Sequence, residues 1–211
     1  MFYQENMYEA LRFGDVLRGF ILTTPKIDEP IGVAEHKDYI INVSLPAFSV
    51  VLSPCCSIRD KIISLAPLIQ LYGTFFDNPY FEKDLTNINR KMIPEQTVSP
   101  QIWGEFPEEE KQKRLQEGLQ YALVNLFVYE RHDFFPNYTI HRREHTRETD
   151  YYMIDFRHVY KVNCDKIITP ENAPLDCKCL QLSIETRKEL REKISSYYGR
   201  TPEEDKVLLE S

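Results

Sequence analysis

No apolar stretch in this chain approaches the roughly 20 residues that a membrane-spanning helix needs. The opening Met1-Phe2-Tyr3-Gln4-Glu5-Asn6-Met7 has neither the basic region nor the apolar run of a secretory signal. A cytoplasmic protein with no membrane partner is therefore expected. Cysteine is scarce and odd in number: five cannot all pair within one chain, and their spacing is unlike a disulfide framework, so free thiols are expected. A glycine-rich phosphate loop is absent, as are a helical histidine pair with an intervening glutamate, a pair of acids spaced for hydrolysis, and any internal repeat. Positive charge is also short. The formal net charge of −7 opposes broad attraction to nucleic acid or anionic membrane, and leaves room only for a local basic groove.

What is present is enough apolar material for a core. The 211 residues are 42% hydrophobic, which argues against global disorder, and 13 Tyr with 12 Phe make that core or a partner surface strongly aromatic. Residues 1–12 read as a short helix. The run from Phe13 to Leu22 reads as a turn feeding a strand, and Pro25, Pro30 and Gly32 mark a loop or broken hairpin after it. The apolar run from Tyr39 to Leu52 is too long for one strand. Pro46 lacks a ladder donor and divides it near 39–44 and 48–53, and a third strand is expected near 62–70. Closely spaced short strands point to an antiparallel barrel or curled sheet. Pro107 followed by Glu108, Glu109 and Glu110 starts a helix whose apolar stripe runs through Leu115, Leu119, Leu123 and Leu126. Tyr151–Phe156 and Val159–Val162 read as strands of one sheet. Ser183 caps a last major helix that Gly199 ends.

The expected architecture is thus α+β: one domain over 1–211, with an SH3-like antiparallel β-barrel or curled sheet at about 13–70 and 150–163. A long irregular insertion covers 72–105, and two major helices lie at about 107–130 and 183–199.

Three groups of residues could carry chemistry. Cys55, Cys56, Cys177 and Cys179 are two compact thiol pairs that together could hold a structural zinc. Neither pair has the two-residue knuckle spacing, so buried or incidental cysteines are the plainer reading, and no cofactor is expected. Cys55 as a nucleophile would need a base from among His36, His132, His141, His145 and His158. The segment His141-Arg142-Arg143-Glu144-His145-Thr146-Arg147 is the clearest anion surface: Arg142, Arg143 and Arg147 could hold phosphate oxygens, and Tyr138 or Tyr151 could stack on a base. If that segment is one strand, Arg143, His145 and Arg147 share a side and Arg142 faces away. Its competing reading is a solvated hairpin whose charges pair with Glu144, Glu148 and Asp150. Asp15, Asp60 and Asp155 flank strands and loops, where acids are common for turn reasons alone.

Phe13-Gly14-Asp15-Val16-Leu17 followed by Val50-Val51-Leu52-Ser53 resembles the small SH3-like barrels of RNA-cleaving bacterial toxins, the MazF/PemK group. Ser53-Pro54-Cys55-Cys56-Ser57-Ile58 together with Asp155-Phe156-Arg157 and the Leu182–Arg200 helix is similar to a bacterial family built around such a barrel. The first resemblance covers roughly residues 13–70, the second reaches about residue 200. The chain's length, acidic balance and long irregular insertion depart from the compact toxin. The expected role is therefore an interaction module without catalysis, whose aromatic loops and basic 141–147 segment contact a protein, RNA or DNA in a bacterial nucleic-acid or defence-related assembly. The alternative that the toxin resemblance implies is a metal-independent RNA endonuclease, in which Arg18 and Arg59 stabilise phosphate charge and an acid such as Asp15 orients the reacting groups.

Overall fold

The computed structural model describes residues 1–8, 10–26, 40–59, 62–73, 75, 88–89, 100–117, 125–142, 145–163 and 177–199. The chain divides into two compact units: Met1–Ile69 with His158–Ser183, and Gln70–Arg157 with Ile184–Ser211.

In the first unit the short apolar runs pair as antiparallel strands. They are β1 (Val16–Leu17), β4 (Ser49–Val51), β5 (Ile62–Pro67), β11 (Tyr160–Asn163) and β12 (Lys178–Leu180), in the order β11-β5-β4-β1-β12. Val16 lies opposite Val50 on one side and Leu180 on the other, and Val51 opposite Leu65. β2 (Leu22–Lys26) and β3 (Ile40–Ser44) stand apart as a two-stranded ribbon, from Leu22↔Ser44 to Lys26↔Ile40. Gly19, at φ +85°, makes the turn out of β1 toward that ribbon. The core is Leu11, Leu17, Leu22, Val51, Ile58, Ile63 and Leu65, with Phe20, Tyr160 and Val162 packed against it.

The SH3-like barrel is overturned. The five-stranded sheet is open, with β11 and β12 as its edges and no pairing between them among the described residues. Closure requires strands long enough to tilt and shear past one another. β1 has two residues, β4 and β12 three each, and β2 with β3 pairs as a separate ribbon. The fold class is α+β with several small open sheets, and the resemblance to the barrel toxins and to a family built on that barrel loses the architecture it implied. Residues 1–12 hold no helix among those described. Their backbone turns instead to the segment after β12: Gln4 N donates to Gln181 O at 2.9 Å, Ser183 N to Phe2 O at 2.9 Å, and Tyr3 bridges Leu182.

The second unit carries β7 (Leu126–Tyr129) and β10 (Tyr152–Asp155), paired from Tyr152↔Tyr129 to Asp155↔Leu126. The short β6 (Ile69–Gln70), where the chain passes from the first unit into the second, lies on β10's other side. Leu126 and Phe127 were expected to continue a helix. Among the described residues of that stretch the helix is α3 (Glu108–Gln116), with Glu108, Glu109 and Glu110 in its first turn as the sequence suggests. Leu126-Phe127-Val128-Tyr129 is buried at all four positions, as suits a strand of apolar, branched and aromatic residues. Asn89 completes β7's outer edge like a strand: its Nδ2 donates to Val128 O at 2.6 Å, and its Oδ1 accepts from Val128 N at 2.8 Å. Leu119 and Leu123 lie outside the described residues, as does most of the expected 72–105 insertion apart from α2 (Pro100–Glu105) and a few residues before it. β11, expected to continue β10's sheet, pairs instead with β5 in the first unit. No helix among the described residues is long and apolar enough to cross a membrane.

The last helix, α4 (Ile184–Tyr198), presents Thr186, Leu190 and Lys193 as its buried face, and Gly199 N donates to Ser195 O at its end. Lys193 is a cation at an apolar helix position. Its Nζ donates to the Ile88 carbonyl, and burial pulls the amine down to about 7. Below that pH the amine is charged in folded and unfolded chains alike, and folding bears the full cost of burying it. Between about 7 and the unfolded value near 10.4 the unfolded chain binds more protons, so stability rises with pH. Urea unfolding at about pH 6 and about pH 9 is expected to show that rise, and Lys193→Met is expected to flatten it while stabilising the protein at the lower pH. A slope unchanged in the variant would show that Lys193 is not its source.

Candidate functional site

Asp15 is fully buried and belongs to a closed polar network. Its Oδ2 accepts from Lys178 Nζ at 2.8 Å and from Arg12 N at 2.7 Å, and its Oδ1 accepts from Gln181 Nε2 at 3.1 Å. Lys178 donates further to Tyr8 O at 2.8 Å and Ala10 O at 3.1 Å, so all three ammonium hydrogens have acceptors. Gln181 Oε1 accepts from Tyr8 N at 2.8 Å. Burial pushes the Asp15 carboxyl above its ordinary value, while Lys178, the Arg12 amide and Gln181 pull against that. The arrangement ties the N-terminal segment to β1 and β12. Sequence reasoning singled out Asp15 for chemistry, and missed that Lys178, between two cysteines, is its partner. The spacing of 163 residues gives no local signal.

Arg18 follows β1 with its side chain exposed. Its amide donates to Cys177 O at 2.9 Å, which brings it beside the Cys177–Cys179 pair. Burial raises the Cys179 thiol, and the charge of Arg18 acts the other way. Cys55 and Cys56 open the short helix α1 (Cys55–Arg59), with Cys56 exposed, Cys177 half-buried and Cys179 buried. The side chains of Cys55 and Arg59, and all of Asp60 and His36, lie outside the described set. Among the described residues no three His, Cys, Asp or Glu side chains cluster in a way that could hold a metal ion.

The basic segment is a two-stranded ribbon, β8 (Tyr138–Arg142) and β9 (His145–Thr149), with Ile140 opposite Arg147 and Arg142 opposite His145. Directly opposed residues share a face, and alternation sets the positions of 140, 142, 145 and 147 on one side. Thr139, His141, Thr146 and Glu148 take the other. The hairpin thus differs from a single strand: Arg142 shares the face of His145 and Arg147, while Arg143 falls between the strands and outside the described residues. Arg147 and Glu148 are both exposed, on opposite faces. At the base of the ribbon Tyr138 is an anchor. Its ring meets Tyr152 edge-on at 5.2 Å, its hydroxyl donates to Tyr151 O, and it accepts from Leu71 N at 2.9 Å. Burial drives that hydroxyl up to about 12. Arg131 packs over the Tyr151 ring at 4.7 Å and pairs with Asp150 at 3.0 Å.

At the other end of β10, Asp155 is 1% exposed and accepts from Asn125, Arg157 and Tyr72. Its Oδ1 takes Asn125 Nδ2 at 3.2 Å and both Arg157 N and Arg157 Nε at 3.0 Å. Its Oδ2 takes Arg157 Nη2 at 2.5 Å and the Tyr72 hydroxyl at 3.4 Å. Burial alone would raise this carboxyl; the bonds from Arg157 and Asn125 outweigh it and hold the group below its ordinary value. Phe156 N donates to Asn125 O at 2.8 Å, and Tyr198 donates to Phe156 O at 2.8 Å, fixing the turn that carries Arg157. Asp155 stood out in the sequence as an acid at a strand end, and Arg157 only through the resemblance; Tyr72 and Asn125 gave no signal there.

Comparison of the chain with protein-family models, with curated proteins and with solved structures finds no match.

Removing one member of the buried pair is expected to be far worse than removing both. Lys178→Met leaves the Asp15 carboxyl buried without its cation and is expected to cost about 3–5 kcal/mol in urea unfolding. Adding Asp15→Asn is expected to restore part of that loss, because the neutral amide removes the uncompensated charge while its one oxygen still accepts from either the Arg12 amide or Gln181 Nε2. A loss under about 1 kcal/mol for the single variant would mean that the network is not holding the N-terminal segment.

Proposed function

We propose that this chain is a noncatalytic interaction module that contacts nucleic acid through the β8–β9 ribbon. The observation that carries the reading is the register of that hairpin. It gathers the positions of Arg142, His145 and Arg147 on one face and sends Glu148 to the other. Arginines present several donors to phosphate oxygens at once, and a two-stranded β-ribbon is narrow enough to enter a major groove. Tyr138 supports this as the pin at the ribbon's base, through its contacts with Tyr152, Tyr151 and Leu71. The net charge of −7 opposes broad attraction to nucleic acid, and the release of phosphate counterions by the arginines makes the affinity depend on salt.

A second reading has its own observation. Ile41 and Val43 on β3 and Leu45 just after it are 63%, 62% and 72% exposed, and an apolar stripe of that kind suits a protein partner. The endonuclease reading took Arg18, Arg59 and Asp15 from the barrel resemblance, and no geometry described above favours it.

Binding to single-stranded and duplex RNA and DNA, followed by fluorescence anisotropy across a salt series, tests the proposal. Salt-sensitive binding is expected, with the nucleic acid recovered intact. The Arg142→Ala, Arg147→Ala double variant is expected to weaken it about tenfold and to lower the log–log salt slope by roughly 1.5. Absence of binding even at low salt would overturn the reading and leave the apolar ribbon as the better interaction surface.

A further inference from the structure

We propose that Arg157 and Tyr72 form a binding site for a phosphate group, separate from the β8–β9 ribbon. Asp155 engages Arg157 through Nε and Nη2, which is one edge of the planar guanidinium. The edge formed by Nη1 and the remaining Nη2 hydrogen points away from that carboxylate, because the five N–H groups form a rigid fork. The Arg157 side chain is 55% exposed although its carboxylate partner is buried at 1%. A guanidinium held along one edge from below and open to solvent is therefore presented in a fixed orientation. Its ordering entropy is lost on folding and not on ligand binding.

Tyr72 supplies the third donor. The 3.4 Å contact of its hydroxyl to Asp155 is longer than any that Asn125 or Arg157 makes with that carboxylate. Asp155 retains the shorter bonds from Asn125 and Arg157 when that hydroxyl turns outward. Burial and the neighbouring Asp155 charge push the phenol above its ordinary value, so it stays a donor at neutral pH. The residue is 41% exposed. Two N–H groups side by side and one O–H suit three oxygens of a tetrahedral anion better than the two of a carboxylate. Asp155 cancels the charge of Arg157, so the site works by directed hydrogen bonds and its affinity is expected in the millimolar range. Asp155 and Asn125 are positioning residues.

Titration of the full chain with inorganic phosphate and with phenyl phosphate, against sodium chloride and sodium acetate at matched ionic strength, tests this by the Arg157 Nε–H and Tyr72 ring resonances. Saturable shifts with either phosphate and none with chloride or acetate are expected. Saturation by phenyl phosphate identifies an ester as an acceptable occupant, and saturation by inorganic phosphate alone identifies the free ion. Tyr72→Phe is expected to weaken binding about fivefold with unchanged thermal unfolding. Arg157→Lys, which leaves Asp155 a cation and so protects the fold, is expected to abolish saturation because a lysine has no fork. Linear shifts matching those of chloride, equal response to acetate, or undiminished binding by Arg157→Lys would each overturn the site.

Discussion

The ion pair between Asp15 and Lys178 is the constraint on which the first unit depends. β1 is only two residues long, too short to hold its place by ladder hydrogen bonds alone. Its position is fixed because Asp15, immediately before it, bonds to a lysine and a glutamine on and just after β12. The same lysine and glutamine gather the backbone of Tyr8 and Ala10. One network thus orders the N-terminal segment and aligns β1 between β4 and β12. A buried pair of this kind adds little stability over an apolar replacement, but it penalises any arrangement that separates its members.

The second unit uses the same device with a different outcome. Asp155 is also a buried carboxylate at a strand end, yet its principal partner is an arginine whose side chain remains more than half exposed. Asp15 faces inward on a lysine that has no hydrogen left to offer, so that network is closed. Asp155 holds one edge of a group that has another, so the second network is open to a ligand. Aromatic packing supplies the rigid support on which this rests, through Tyr138 against Tyr152 and Phe156 against Tyr197. The basic ribbon rises from one end of β10 and Arg157 follows the other, so one strand positions both candidate contacts.

Strand formation in the first 70 residues was largely legible. The division at Pro46 and the return of apolar residues after the cysteines correspond to β3, β4 and β5. Ser183 before α4 and Gly199 after it were equally readable, because caps are local chemistry. Leu126 and Phe127 misled. Their spacing continues a helical stripe, and only burial on both sides of the sheet, with Asn89 pairing the outer edge, makes them a strand. Tyr138 read as a free ring for stacking, and the structure engages it through Leu71, 67 residues away. The basic segment was visible as composition, but which arginines share a face depended on where the hairpin turns.

By itself the sequence determined where several short strands could form, where the helices after Pro107 and Ser183 could begin, and which short segments concentrate thiols or positive charge. These follow from side-chain shape, proline's missing donor and charge near helix ends, all effects that act within a few residues. Tertiary structure alone decided that the sheet stays open, that Lys178 answers Asp15, and that Asp155 holds Arg157 beside Tyr72. Each depends on strand length, register or contact between residues far apart in the chain, where the energy of pairing is set by geometry that no local pattern encodes.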